Sequence, residues 1–320
     1  YMAALARTPT EREFTVPYWQ SIIDEIDAGV TEPWLMDTPP YWLGGRFWND
    51  IQMLLAHAWS WLEIAYFILG MADQSGNYQH WLSFPVMERL PSISLGGDTD
   101  IMIVTPDLRF PQGVTAAEQE AYCPYDDVAD LYCPARGLHF AIPSWDIRVW
   151  KNESRGTWRW SWYYPVYMWN QVRIEGLGWY AEITMEELNL LKAEALYRTG
   201  DPAGAAALIN ITREAAGLNA TDAAGTNTDC VPKLPDGTCG DLFEMLKWEK
   251  RIMTLGQGLH SNPWYFEGRG WGDLYIGTQL QFPIPCGQLI RLQMLPCYTF
   301  GGAGGDMAAP RSVYNWPFEE

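Results

Sequence analysis

EELNLLKAEALYRTGDPAGAAALINITREAAG, Glu186 to Gly217, is the stretch whose reading decides the fold. It holds two helical periods separated by Gly200, Asp201 and Pro202. Just upstream, Thr184 opens the pattern TMEE, a capping box in which the hydroxyl can accept from the backbone of the first turn. Met185, Leu188, Leu191 and Ala195 then make an apolar stripe that ends at Gly200. Asp201 can cap the next helix with Pro202 in its first turn, and Ala205, Leu208, Ile209, Thr212 and Ala216 form the buried face of that second helix. Helix, short turn and helix fill Thr184 to Gly217, matching the period of about 34 residues of a tetratricopeptide-type repeat. One such pair cannot bury both faces, so it needs neighbours.

Working outward, DLFE at Asp241 is a second capping pattern, and its helix runs to about Leu255. Beyond it come the turn-rich WYFEGRGWGDL, an extended QFPIP, a short helix near Cys286 to Met294, and the glycine-rich tail FGGAGGDMAAP. Toward the N-terminus, YWQSIIDEIDAGV spaces Trp19, Ile22, Ile23 and Ile26 as a buried helical stripe. Phe47 to Met71 reads as one long apolar helix. Its length could span a bilayer, but Gln52, His57, Ser60 and Glu63 fall inside it, which favours a helix buried in a helical stack. Residues 73–180 lack a sustained period and are rich in Pro, Gly and aromatic residues, so long ordered loops and short strands are expected. The predicted fold is mostly α: a tetratricopeptide-like helical repeat in a single domain. Its core comes from residues 10–72 and 184–295, and 73–180 form an aromatic, loop-rich insertion.

Composition limits the partners. The 320 residues are 48% hydrophobic, enough for a full-sized core. With 21 Lys plus Arg against 39 Asp plus Glu the formal charge is −18, and no basic run occurs. Such a field repels phosphate backbones and anionic lipid, so nucleic acid is not expected as a partner. The six cysteines form three close couples, Cys123 with Cys133, Cys230 with Cys239 and Cys286 with Cys297, each bracketing a turn-rich stretch and none with CxxC spacing. Three local disulfides are the expected reading, and with them an oxidising compartment: periplasm, cell surface or outside the cell. The opening YMAALARTPT does not read as a signal peptide or lipoprotein leader, so a removed leader or unseen upstream sequence is expected.

The quoted stretch resembles the helical repeat that ends proteins of the SusD/RagB family, surface nutrient-binding lipoproteins. In that family an AEA-containing helix, a Gly-Asp turn and a helix ending in an Arg-x-x-Ala-type segment follow one another; here Ala193, Glu194, Ala195, Gly200, Asp201 and Arg213 stand in those places. The family's Glu-x-Arg helix, Gly and Arg-Trp-x-Asp-Leu stretch are similar to Glu249, Arg251, Gly258, Arg269, Trp271, Asp273 and Leu274, and Pro283 to Pro285 complete the set. The resemblance covers roughly residues 179–297. Departures are Met253 and Gly256-Gln257-Gly258 in the second landmark helix, and an insertion, LHSNPWYFE. It implies tetratricopeptide-like helix pairs carrying a ligand face made of irregular insertions, and work as a capture subunit with a TonB-dependent transporter of the SusC type. The family's sugar-contacting residues follow no transferable motif.

The ligand face is therefore sought in the residues themselves. TWRWSWYYPVYMWN, Thr157 to Asn170, holds four tryptophans and three tyrosines in fourteen residues. In an extended strand Trp158, Trp160 and Trp162 share one face, spanning about 13 Å at roughly 3.3 Å per residue, enough for two or three pyranose rings. Indole faces suit sugar C–H faces, and neighbouring polar groups supply direction. Tyr164, Tyr167 and Trp169 extend this candidate ligand site, with Trp145 and Trp150 as secondary candidates. The competing reading is that these rings fill the core.

No catalytic motif is present: no HExxH, no GxSxG and no Walker A loop. His57, His80, His139 and His260 are isolated and read as structural. Glu175 and Glu182 are the one carboxylate pair worth testing for glycoside hydrolysis. Asp98, Asp100, Asp126, Asp127 and Asp130 sit in loops without a calcium-loop pattern, so solvated turns are expected, with no metal and no cofactor. The expectation is a non-catalytic cell-surface or extracellular protein that binds a glycan or oligopeptide. The alternatives are a surface or filament subunit self-assembled through its aromatic loops and, third, a glycoside hydrolase on a helical toroid.

Overall fold

Gly200 adopts φ +89°, a left-handed conformation that a residue without Cβ reaches freely, and the chain turns there between the two helices of the quoted stretch. The computed structural model describes residues 6–13, 16–38, 64–84, 102–122, 138–142, 161, 163–165, 178–255, 263–280, 284–294, 308–314 and 316. Its helices, in chain order, are α1 Pro9–Arg12, α2 Val16–Ala28, α3 Tyr66–Leu69, α4 Asn77–Ser83, α5 Ala116–Glu120, α6 Met185–Arg198, α7 Pro202–Ala215, α8 Leu242–Thr254, α9 Pro263–Trp271 and α10 Cys286–Arg291. Strands β1 Trp34–Thr38 and β4 Gly178–Ile183 pair antiparallel, as do β2 Phe140–Ala141 and β3 Tyr164–Pro165. The protein is mostly α. It divides into two compact units, residues 16–261 and residues 1–15 with 262–320.

In the unit of residues 16–261, α6, α7 and α8 pack on one another and α2 lies against α6. Each of the three starts on a side-chain cap. Thr184 Oγ1 accepts from Glu187 N–H (3.1 Å), Asp201 Oδ1 from Gly204 N–H (2.9 Å) and Asp241 Oδ1 from Glu244 N–H (2.9 Å). Leu190, Ala193, Ala205, Ala206, Ile209, Leu242, Met245 and Leu246 form the buried apolar cluster between them. The alanines let α6 and α7 approach closely. Arg198 closes the seam to α2, its guanidinium 4.9 Å from the Trp19 ring centroid and 5.3 Å from that of Phe243.

Three expectations are corrected here. The deepest positions of α6 are Leu190, Ala193, Glu194 and Ala195; of the predicted stripe only Ala195 is fully buried, while Met185, Leu188 and Leu191 are half-buried. The stripe counted large apolar residues, whereas the true seam uses small ones and a paired glutamate. The single helix from Phe47 to Met71 does not hold in its described part, because Ala65 is extended (ψ 142°) and α3 begins only after it. Ile64 N–H donates to Tyr163 O (3.3 Å) and Ile64 O accepts from Ser161 N–H (2.8 Å), so a segment distant in sequence takes the hydrogen bonds a continuous helix would use. Residues 47–63 lie outside the described residues.

In the other unit, WYFEGRGWGDL is not a run of turns: Pro263–Trp271 is helical. The glycines that suggested turns have a packing purpose, since a Cβ on Gly270 would come within 2.8 Å of Arg12 Cδ. Among the described residues Tyr265, Leu274, Leu280 and Ala309 form an apolar cluster in this unit. The predicted short helix near Cys286 is α10. Among the described residues, no helix is long and apolar enough to cross a membrane.

Candidate functional site

Helix α8 is buried on almost every side, and that forces its charged residues to find partners inside. Lys247 Nζ meets Glu244 Oε1 at 2.6 Å. Glu249 is wholly buried and receives Arg109 twice, Nη1 to Oε2 at 2.7 Å and Nη2 to Oε1 at 3.0 Å. Arg109 holds Asp107 with its remaining donors, Nε to Oδ1 at 2.9 Å and Nη2 to Oδ2 at 2.6 Å. Arg213 of α7 approaches Glu249 Oε1 to 3.8 Å and donates to Val231 O at 2.7 Å. Glu194 of α6 takes Arg198 at 2.9 Å and lies 3.9 Å from Lys250 Nζ.

Asp107 and Glu249 thus balance Arg109 and Arg213 in a dry environment. Burial by itself would lower the Arg109 pKa, but the two carboxylates outweigh it and raise it well above its ordinary value. Burial dominates at Arg213 and lowers its pKa despite Glu249. Both carboxylates are bound in bidentate or shared contacts, so the cluster clamps the segments that carry them.

What it clamps is the segment Thr105–Phe110, which leads to the aromatic region. Leu108 N–H donates to Ala216 O at the end of α7 (2.9 Å), and Arg109 O accepts from His139 (2.8 Å) and Phe140 (3.0 Å) N–H. His139 is buried; desolvation first, then the Arg109 charge, push its pKa down to about 3, so it is neutral at ordinary pH. Phe110 packs on Phe140 at 4.8 Å, on Tyr163 at 6.0 Å and on Trp248 at 6.5 Å between centroids. Phe140 and Ala141 pair with Pro165 and Tyr164. The Tyr163 hydroxyl donates to Gln119 Oε1 (2.5 Å) and accepts from Ile103 N–H (2.9 Å), and burial raises its pKa well above the tyrosine range. Ser161 and Tyr163 are both wholly buried.

Of the predicted ligand residues, Trp158, Trp160, Trp162, Tyr167 and Trp169 lie outside the described residues, as do Trp145 and Trp150. Tyr164 is placed in β3 by its backbone alone. Glu175 is outside, and Glu182 is in β4 without a described side chain, so that carboxylate pair is not brought together here. Asp98, Asp100, Asp126, Asp127, Asp130, His57 and His260 are also outside; His80 is exposed in the last turn of α4. Cys230 and Cys239 form the expected disulfide, with Cα atoms 4.7 Å apart. Cys286 is disulfide-bonded too; Cys297, its expected partner, and the couple Cys123 and Cys133 lie outside the described residues. Among the described residues no group of three or more His, Cys, Asp or Glu could hold a metal.

The sequence reading missed Asp107, Arg109, Gln119 and Tyr163, the groups that root the aromatic segment. Their one signal was the Asp-x-Arg of TPDLRF, which needs Glu249 from far along the chain to become meaningful. Glu194, Arg213 and Glu249, singled out by resemblance, each take part in a buried ion pair, Glu194 with Arg198 and Arg213 with Glu249. No protein-family model, no curated protein and no solved structure matches the chain.

Proposed function

We propose that the chain is a non-catalytic, cell-surface nutrient-binding protein of the SusD/RagB type, built on a tetratricopeptide-like helical repeat and working with a TonB-dependent, SusC-like outer-membrane transporter. One observation carries the reading. Residues that carry the family resemblance are held in buried ion pairs of three stacked helices, Glu194 of α6 with Arg198 and Arg213 of α7 with Glu249 of α8, and through Arg109 the Glu249 pair anchors the segment that supports β2 and β3. A rigid helical back that grips the root of an aromatic loop is what a capture protein requires.

The ligand is a glycan or an oligopeptide, taken on Trp158, Trp160 and Trp162 with Tyr164, Tyr167 and Trp169 beside them. Ser161 and Tyr163 of the same stretch are buried and tie it to the interior. The acidic charge of −18 suits neutral ligands. The Cys230–Cys239 disulfide fits an oxidising compartment.

The test is a glycan and oligopeptide binding screen on the purified chain, repeated with Trp158, Trp160 and Trp162 replaced together by Ala. Binding that drops by about tenfold or more per lost stacking ring is expected. A broad screen without a single binder, or a triple variant that binds as the parent does, overturns the reading. Release of reducing ends from an oligosaccharide panel would instead make it a hydrolase.

A further inference from the structure

The loop from Cys230 to Cys239 holds more of its unit than its own residues. Cys230 O accepts from Gln74 Nε2 (2.8 Å) and Leu234 O from Gln79 Nε2 (3.1 Å), while Lys233 N–H donates to Met71 O (2.7 Å). Three loop residues thus grip one distant segment, residues 71–79. A fourth, Val231, accepts from the buried Arg213 of α7 at 2.7 Å.

Residues 71–79 in turn hold residues 102–104. Gln74 N–H donates to Val104 O (2.7 Å), Asn77 Nδ2 to Met102 O (3.1 Å), and Val104 N–H to the buried Asp73 carboxylate (3.0 Å). Ile103 N–H then reaches the Tyr163 hydroxyl at 2.9 Å. A run of hydrogen bonds therefore joins the disulfide to the aromatic stretch, all of it inside the unit 16–261.

Two features make this crosslink reactive. Cys239 is exposed and Cys230 half-buried, so a thiolate can reach the bond from solvent. Cys230 also has φ +54°, a left-handed conformation that crowds a residue with a Cβ; among the described residues other than glycine only Gln293 shares it. While the bond stands, loop closure helps to keep Cys230 there. Once it is broken, relaxation to an ordinary φ turns the Cys230 carbonyl away from Gln74 and loosens the grip on 71–79.

We propose that Cys230–Cys239 is a site of thiol–disulfide exchange with dithiols, and that its state latches residues 71–79 and 102–104. A thiolate of the dithiol attacks Cys239 Sγ, forming a mixed disulfide and breaking the Sγ–Sγ bond, and Cys230 leaves as thiolate. The dithiol's second thiolate then attacks its own sulfur in the mixed disulfide, closes a disulfide and releases Cys239. The dithiol loses two electrons and two protons, and the two cysteines gain them. Exchange and latch stand without the ligand reading of Trp158, Trp160 and Trp162; weaker ligand capture by the reduced chain rests on that reading.

The experiment treats the full chain with dithiothreitol without denaturant, alkylates it with iodoacetamide, maps the labelled cysteines by mass spectrometry and follows amide exchange. Cys230 and Cys239 are expected to be labelled, and the amides of 74–78 and 103–104 to lose about tenfold more protection than those of 242–254. A Cys230→Ser, Cys239→Ser chain, which leaves the disulfide of Cys286 standing, should show the same difference in oxidising buffer, with no further change in those amides on adding dithiothreitol. The proposal fails if the pair resists dithiothreitol until the protein unfolds, or if 74–78 and 103–104 lose no more protection than 242–254. The ligand reading fails separately, in the binding screen, whatever these amides do.

Discussion

Charge is buried in both units, but it is asked to do different things. In residues 16–261 the ion pairs accompany a buried cluster of eight apolar residues across three capped helices, and Glu249 serves two arginines at once. In the other unit Tyr265, Leu274, Leu280 and Ala309 form an apolar cluster among the described residues, and Arg12 pairs with Glu267, 255 residues away in sequence. The first arrangement uses charge to align helices that already bury one another. The second uses it to join residues 6–12 to α9 within one unit. Buried pairs of the same chemistry should therefore fail globally in one unit and locally in the other.

The largest effect is expected from Glu249→Ala, which leaves Arg109 and Arg213 buried together without their shared carboxylate. A loss of about 3–5 kcal/mol in urea unfolding should follow. Acid comes next. The unfolded chain protonates His139 below its ordinary pKa of 6.5, whereas the folded chain does so only near 3, so this contribution is whole above about pH 6.5 and is lost as pH falls. It should amount to about 3 kcal/mol by about pH 4, and a His139→Gln chain should show a flatter stability profile over that window. Replacing Cys230 and Cys239 by Ser should remove about 2–3 kcal/mol, read as a lower melting temperature. Asp241→Ala, which deletes the cap of α8, should remove about 1 kcal/mol.

The smallest effect on that transition is expected from Arg12→Ala. It should abolish hydrogen-exchange protection in residues 6–12 and 263–271 while the amides of 185–254 keep theirs. If instead it lowers protection throughout 185–254 as Glu249→Ala does, the contrast between global and local charge is wrong.

The helices of the quoted stretch were legible because their signals are local. Thr184, Gly200, Asp201, Pro202 and Asp241 each act within four residues, and each does what its type suggests. What could not be read depends on partners far away in the chain. Ile64 leaves a helical pattern where Ser161 and Tyr163 take its backbone hydrogen bonds, and in the helix Pro263–Trp271 it is Gly270 that makes room for Arg12. Arg109 was invisible as an anchor since its carboxylate, Glu249, lies 140 residues on. The root of the candidate site was hidden for the same reason, whereas its indoles were conspicuous as composition alone.

The loop closed by Cys230 and Cys239 does more than shorten the chain. Its carbonyls at Cys230 and Val231 receive Gln74 and the buried Arg213, so the crosslink closes the loop that supplies two acceptors to side chains of the helical unit. A newly made chain whose thiols are still reduced would hold those two acceptors by the loop's hydrogen bonds alone, and oxidation would narrow the positions they can take.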